Sequence, residues 1–149
     1  MIVFVLRHAD RTAGDDLSPA GERRAELLAR MIGDTAISAA FRTQFVRAAK
    51  TLRPLQARLP GLPVREIRFD DDETVDDYAW KVAVAVRALP FDAAAVVVGH
   101  SNTVGATIAQ LGGGQIAPIE ESEFDKLFVV FTAPSGTSRL VRMRYGEPT

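Results

Sequence analysis

The stretch that decides the fold is IVFVL at residues 2–6, which is followed at once by Arg7 and His8. It is short, continuously apolar and rich in β-branched residues, which is typical of a strand buried on both faces of a parallel sheet. A second run of this kind, AAAVVVG at residues 93–99, ends directly before His100. His8 and His100 are the only two histidines among the 149 residues. Both therefore stand at the exit of a strand that we expect to be buried.

Four strand-then-helix units and a final hairpin are predicted along the chain. Ser18 with Pro19, Thr43, and Thr74 supply the helix starts. The predicted helices cover residues 19–32, 43–59, 74–89 and 103–111, and two further strands cover 35–41 and 64–69. KLFVVFTA and SRLVRMRY, joined by a turn at residues 134–136, predict an antiparallel hairpin. This order predicts one domain over residues 1–149, a three-layer α/β/α sandwich with a mostly parallel sheet and a C-terminal antiparallel hairpin.

The composition excludes several classes of function. The formal net charge is −1, so no global field favours nucleic acid or an anionic membrane as a partner. There are no cysteines, which excludes disulfides, thiol nucleophiles and thiolate metal sites. Only five apolar residues follow Met1 before the first charge, too few for a signal peptide, and no run reaches the roughly 18 apolar residues of a spanning helix. We therefore expect a cytoplasmic protein.

Two imidazoles and two guanidiniums are expected at one edge of the sheet. Ligands of such sheets bind at the carboxyl ends of the strands, where His8 and His100 both lie and where the first turn of the second predicted helix carries Arg47. With Arg7, these residues predict a site for a phosphate dianion, because arginine binds phosphate oxygens bidentately. One histidine could attack phosphorus and the other could stabilise charge on its oxygens. Each residue alone is equally well explained as structural or solvated, and only the joint arrangement favours the site.

Four segments resemble motifs of the histidine phosphatase superfamily, the phosphoglycerate mutase-like proteins. They are LRHAD at 6–10, LSPAGER at 17–23, TQFVRAAKT at 43–51 and VGHSNT at 98–103, and EFDKLF at 123–128 is similar to a stretch of small bacterial members. The resemblance implies a phosphoglycerate mutase-like fold and a phosphatase with no metal or organic cofactor. It implies that His8 accepts the phosphoryl group and that Arg7 and Arg47 clamp it. His100 would complete the pocket, with Ser101 as a further phosphate contact.

The sequence departs from the family pattern at two points. Ala9 stands where the family usually has glycine, and we expect its methyl group to be tolerated. No motif selects the general acid that protonates the leaving oxygen. The acidic run 70–73 is the preferred source, with Asp70 and Glu73 as candidates, although it is equally well explained as a solvated loop that caps the third helix.

A second source of the acid is the loop before the fifth strand. It carries four acidic residues, Glu120, Glu121, Glu123 and Asp125, and reaches the active edge if the fifth strand runs antiparallel. If no carboxylate is in reach, good leaving groups such as phosphoramidates or acyl phosphates are favoured over alkyl esters.

These observations predict a cofactor-independent phosphatase that acts on a small phosphorylated substrate or a phosphoprotein through a phosphohistidine on His8. A catalytically weak phosphate-binding or regulatory module and a mutase-type phosphotransferase remain as alternatives, although the chain offers no long insertion for the water-excluding lid of a mutase. The GHSNT segment also resembles the nucleophile elbow of a serine hydrolase, but no histidine follows Ser101 to complete a triad. The substrate and the oligomeric state are not determined by the sequence.

Overall fold

One mixed sheet of six strands runs through the computed structural model, which describes every residue from Met1 to Thr149. The elements in chain order are β1 (Ile2–Arg7), α1 (Pro19–Ile32), β2 (Ile37–Arg42), α2 (Val46–Arg58), β3 (Val64–Glu66), α3 (Val75–Arg87), β4 (Ala94–Gly99), α4 (Val104–Gln110), β5 (Lys126–Thr132) and β6 (Ser138–Arg144). Their order confirms the prediction of four strand-then-helix units followed by a hairpin. None of the helices is both long enough and apolar enough to cross a bilayer.

The strand order β3-β2-β4-β1-β5-β6 makes β1 and β4 neighbours at the centre of the sheet. They pair in parallel with Arg7 opposite Gly99, so His8 and His100 leave the sheet side by side. β5 pairs with β1 antiparallel, and β6 with β5. Because β5 runs antiparallel, the segment that precedes it lies at the carboxyl end of β1, which is the condition set above for its acidic residues to reach that edge.

The sheet is covered by two helices on each face. Leu6 and Val96 pack with α1 and α2 in one cluster of buried side chains. Val5 and Val97 point to the other face, where they pack with α3 and α4. Burial of one such side chain contributes about 1.5–3 kcal/mol, so the two apolar layers hold the central strands between the helices. This arrangement confirms the predicted three-layer α/β/α sandwich.

The helix starts agree with the sequence at two positions and differ at a third. Ser18 accepts a hydrogen bond from the Gly21 amide at 3.2 Å, and Thr74 accepts one from the Asp77 amide at 3.1 Å, as expected of N-caps. The prediction for the second helix was wrong, because α2 begins at Val46 rather than after Thr43. β3 is also shorter than predicted and lies at the edge of the sheet.

The amide groups at the start of α2 are capped from a distant loop. The Asp15 carboxylate accepts hydrogen bonds from the amides of Val46 at 3.0 Å and Arg47 at 3.1 Å. Phe45, the residue in the N-cap position, makes no side-chain bond. A negative charge at the N-terminus of a helix also interacts favourably with the helix dipole. Because the cap comes from another part of the chain, no local sequence pattern could reveal it.

Candidate active site

A cavity of about 420 Å³ lies at the carboxyl edge of the sheet, where β1 and β4 end. The residues that line it are Arg7, His8, Arg11, Phe45, Arg47, Phe69, His100, Ser101, Asn102 and Glu121. It thus contains all four residues predicted to act in catalysis, and Ser101. A larger cavity of about 580 Å³ between α1 and α2 contains neither histidine, so the chemistry of the lining residues, and not the volume, identifies the site.

One nitrogen of the His8 ring is hydrogen-bonded to the backbone, and the other is not. The side chain is buried, and its Nδ1 lies 2.8 Å from the carbonyl oxygen of Ala9. A carbonyl oxygen can only accept, so this contact assigns the proton to Nδ1 and leaves the lone pair on Nε2. The His8 amide donates to the carbonyl of Gly99 at 2.9 Å, which fixes the backbone against β4.

The methyl group of Ala9 lies outside the cavity. Ala9 is fully buried and packs in a small cluster with Leu17 and Ala25. Its amide donates to Thr51 Oγ1 on α2 at 2.9 Å. The departure from the usual glycine therefore does not narrow the approach to His8.

The His100 ring lies beside the His8 ring, with 5.2 Å between their centroids. His100 Nε2 lies 2.8 Å from Thr43 Oγ1, and Nδ1 lies 3.4 Å from Arg47 Nη2. A guanidinium only donates, so Nδ1 is the accepting nitrogen and Nε2–H donates to the threonine. Thr43, predicted as a helix cap, is instead a fully buried partner of this histidine.

The backbone around His100 depends on the glycine before it. The His100 amide donates to Thr103 Oγ1 at 2.9 Å. A Cβ atom at Gly99 would lie 2.6 Å from the same oxygen, closer than real contacts allow. The Gly-His order in this motif thus has a steric reason.

Arg7, from β1, and Arg47, from α2, both line the cavity, and each retains an N–H donor without a hydrogen-bond partner. Arg47 Nη1 lies 2.9 Å from Asp15 Oδ1, while Arg7 Nη2 lies 3.1 Å from Glu121 Oε2. The Arg47 guanidinium stacks on Phe45, 4.4 Å from the ring centroid, and the Arg7 guanidinium stacks on Phe124 at 4.1 Å. The Nε atom of each is buried and has no hydrogen-bond partner. Buried donors are normally satisfied, so two unpaired ones on residues lining one cavity favour an anionic ligand.

Both imidazoles are neutral at neutral pH. Burial, together with the charges of Arg7 and Arg47, lowers the pKa of His8 to about 4, although the hydrogen bond to the Ala9 carbonyl opposes the shift. Burial also lowers the pKa of His100 to about 3, with the same two arginines and His8 adding to the shift. A neutral His8 keeps its Nε2 lone pair free.

The structure does not bring Asp70 or Glu73 to the cavity. Glu73 lies in an ion pair with Lys81 at 2.7 Å, and Asp70 lies 3.6 Å from Arg68. Both carboxylates are thus engaged in ion pairs before or against α3, and neither lines the cavity.

Glu121, from the loop before β5, is the one acidic residue that lines the cavity. Its Oε1 accepts from Ser101 Oγ at 2.7 Å and its Oε2 from Arg7 Nη2 at 3.1 Å. These hydrogen bonds and charges, that of Ser101 first and those of Arg7 after it, lower the pKa of the Glu121 carboxyl. The group is therefore an ionised carboxylate in the free protein.

Some residues of the site escaped the sequence analysis. Asp15 and Phe124 hold the two arginines, and Asn102 lines the cavity next to Ser101. Nothing in the local sequence marks them, because their roles depend on contacts between loops. No group of three or more histidine, aspartate or glutamate side chains is arranged to hold a metal ion.

Several solved structures share this fold along almost the whole chain. The protein histidine phosphatase SixA complexed with tungstate is 24% identical, with a TM-score of 0.71 over 97% of each chain. A mycobacterial glucosyl-3-phosphoglycerate phosphatase is 17% identical, with a TM-score of 0.66 over 99% of each chain. The phosphoserine phosphatase of Entamoeba histolytica in complex with 3-phosphoglyceric acid is 13% identical, with a TM-score of 0.65 over 98% of each.

The fold and the site together define an α/β protein with a cavity lined by arginines and histidines at the carboxyl edge of its sheet. No family sequence profile and no curated protein sequence matches the chain. The structural matches show that the chain has the fold of the histidine phosphatase, or phosphoglycerate mutase-like, superfamily, as the motifs predicted.

Proposed function

We propose that this protein is a cofactor-independent phosphatase that works through a phosphohistidine intermediate on His8. The observation that carries the proposal is the state of the His8 ring, whose Nδ1 is fixed by the Ala9 carbonyl while Nε2 is free in an arginine-lined cavity. A nucleophile must be unprotonated, and the lowered pKa of about 4 meets that condition. The phosphatases named among the structural matches support the same class of reaction.

The first chemical step is attack of His8 Nε2 on phosphorus. A nitrogen–phosphorus bond forms, and the bond to the leaving group breaks on the opposite side. Arg47 and Arg7 bind the phosphoryl oxygens, where charge is spread in the transition state. The contact between Nδ1–H and the Ala9 carbonyl stabilises the positive charge that the ring acquires.

His100 contributes a second donor to the phosphoryl oxygens. Its Nδ1 accepts from Arg47 in the free protein. A dianion bound next to it raises the pKa of the imidazole, because an opposite charge favours the protonated form. His100 then donates to the oxygens that gain negative charge.

Water completes the reaction by attacking the phosphohistidine. Three exposed residues, Arg11, Asn102 and Glu121, border the cavity, so water has access to it. The longest segment between two elements, residues 111–125, is tied to Arg7 through the carbonyl oxygens of Glu120, Glu121 and Glu123. These features favour hydrolysis over the mutase alternative, which must retain the phosphoryl group. The proposal covers phosphoproteins, the substrate class in the name of the SixA match, and small phosphate esters.

Replacement of the nucleophile tests the proposal. His8→Ala should lower the release of phosphate from p-nitrophenyl phosphate by about 10⁴-fold or more, because the covalent route is lost. His8→Asn, which keeps the side chain close to its original size, guards against a folding defect, and both variants are checked by circular dichroism. Wild-type protein quenched during turnover of a radiolabelled substrate should carry acid-labile phosphate that both variants lack.

Two results would contradict this proposal. One is undiminished turnover in the His8 variants. The other is tight binding of phosphate or vanadate by the wild-type protein without hydrolysis of any compound in a panel of phosphate esters and phosphoramidates, which would establish the binding-module alternative.

A further inference from the structure

We propose that Glu121 donates the proton to the leaving oxygen and thereby extends this phosphatase to alkyl phosphate esters. The inference rests on the proposed role of His8. Its basis is positional: Glu121 is the one acidic side chain that lines the cavity containing His8 and His100.

The backbone that carries Glu121 is fixed, although its side chain is 74% exposed. Arg7 Nη1 donates to the carbonyl oxygens of Glu120 at 3.0 Å, Glu121 at 2.8 Å and Glu123 at 3.0 Å. The Glu123 carboxylate in turn accepts from the Glu120 amide at 2.9 Å and from Lys126 at 2.7 Å. A buried arginine of β1 thus anchors the loop and holds the backbone of Glu121 beside the cavity.

The present partners of the carboxylate are groups that a phosphate also requires. Ser101 and Arg7 both line the cavity, and both donate to Glu121 in the free protein. A dianion that takes these donors leaves Glu121 without them and adds a like charge beside it. Loss of donors and a neighbouring anion both favour the protonated form of a carboxyl group.

The charged groups facing Glu121 agree with this change of state. Arg7 and Arg11, on and after β1, favour its carboxylate in the free protein. Arg47 on α2 and the two neutral histidines line the same cavity. Bound phosphate neutralises the arginines that keep Glu121 ionised, and the substrate monoanion, whose second pKa is about 6, can supply the proton.

Glu121 gives up a proton in the first step and regains one in the second. In the first step the His8 Nε2 lone pair forms the bond to phosphorus, and the electron pair of the broken phosphorus–oxygen bond goes to the leaving oxygen, which takes the proton of the Glu121 carboxyl. In the second step water attacks phosphorus and gives a proton to the Glu121 carboxylate. The nitrogen–phosphorus pair then returns to His8, and phosphate leaves.

Another carboxylate near the site is already engaged elsewhere. Asp15 accepts from two amides of α2 and from Arg47. Burial raises the pKa of Asp15, but these hydrogen bonds outweigh burial and lower it overall. Asp15 therefore stays ionised and acts as a support for Arg47.

A matched pair of substrates separates proton donation from binding. p-Nitrophenyl phosphate releases a stabilised phenolate that needs no proton, whereas benzyl phosphate, of similar size, releases an alkoxide that does. Glu121→Gln should lower kcat/KM for benzyl phosphate by about 10²-fold or more relative to that for p-nitrophenyl phosphate, because kcat/KM reports the step that releases the leaving group and only benzyl phosphate needs a proton there. The substitution keeps the shape of an exposed side chain, so the variant should fold. Glu73→Gln, the same change at the acid that lies outside the cavity, should alter neither rate.

The outcomes that overturn the inference are distinct from those that overturn the proposed function. An equal fall on both substrates would make Glu121 a positioning residue for Arg7 and Ser101. A rise in kcat/KM on both substrates would show that the Glu121 carboxylate competes with the phosphate for Arg7 and Ser101. A selective loss of benzyl phosphate turnover in Glu73→Gln would assign the general acid to the loop before α3. In each of these cases His8→Ala remains inactive and the phosphatase proposal stands. If His8→Ala retains both rates, the proposed function fails with the inference.

Discussion

The cavity has a floor and a rim that are built in different ways. The floor consists of Arg7, His8 and His100, which are at most 8% exposed and stand at the ends of β1 and β4. The rim consists of Arg11, Asn102 and Glu121, which are exposed and lie outside the strands and helices. Strand register and backbone hydrogen bonds fix the floor, whereas contacts between loops place the rim. In the proposed mechanism the floor therefore supplies the nucleophile and the rim supplies the proton for the leaving group.

After the His8 variants, the largest effect is expected at Arg47, which joins the floor to the loop of Asp15. Its planar fork contacts Asp15 and His100 at once and keeps Nε free. A lysine has one ammonium and cannot replace these contacts together. Arg47→Lys should therefore lower kcat/KM for p-nitrophenyl phosphate by about 10²-fold and weaken vanadate binding.

The control for this prediction is Arg53→Lys, an exposed position of the same helix that does not line the cavity. It should leave both measurements unchanged. Equal losses in the two variants would show that the effect is not specific to the fork at Arg47.

The buried floor should also make the folded protein sensitive to acid. The unfolded chain protonates its histidines near pH 6.5, whereas burial lowers the pKa of His8 to about 4 and of His100 to about 3 in the folded protein. The unfolded state therefore binds more protons between these values, so the free energy of unfolding falls as the pH drops below about 6.5. The slope is up to about 1.4 kcal/mol per pH unit for each histidine.

Urea unfolding at a series of pH values measures this slope. His100→Gln should make it less steep, because one titrating group is removed. Asp70→Asn, outside the cavity, should leave the region between pH 5 and about 6.5 unchanged. An identical slope in wild type and His100→Gln would show that the floor is not kept neutral by burial.

The smallest effect is expected at Asp15, which supports the cavity without lining it. An asparagine side chain at this position would still accept a hydrogen bond from the start of α2 but would lack the charge that faces Arg47 and the helix dipole. Asp15→Asn should lower the free energy of unfolding by about 0.5–1 kcal/mol and raise KM for p-nitrophenyl phosphate by no more than about fivefold. Asp16→Asn, whose partner is Lys50, should leave KM unchanged. A large fall in kcat for Asp15→Asn would instead place this carboxylate in the chemistry.

Sequence patterns predicted the residues at the floor of the cavity, but they did not select the carboxylate at its rim. The apolar runs before His8 and His100 predicted buried parallel strands, and parallel strands end at one edge, so proximity of the two rings followed. Thr43 looked like a helix cap because its local pattern fits one, yet it lies against His100. Asp70 and Glu73 follow β3 near the same edge, but nothing in the pattern showed that Glu73 pairs with Lys81 of α3 and Asp70 with Arg68.

The sequence by itself determined the layers, the parallel direction of β1 to β4 and the edge at which the two histidines meet. These depend on hydrophobic periodicity and on helix caps, which act between residues close in the chain. The tertiary structure alone decided which carboxylate reaches the cavity and which residues hold the arginines. Asp15 caps a helix from another loop, and Glu121 arrives because β5 runs antiparallel beside β1. Such contacts join distant parts of the chain, and only the packed fold specifies them.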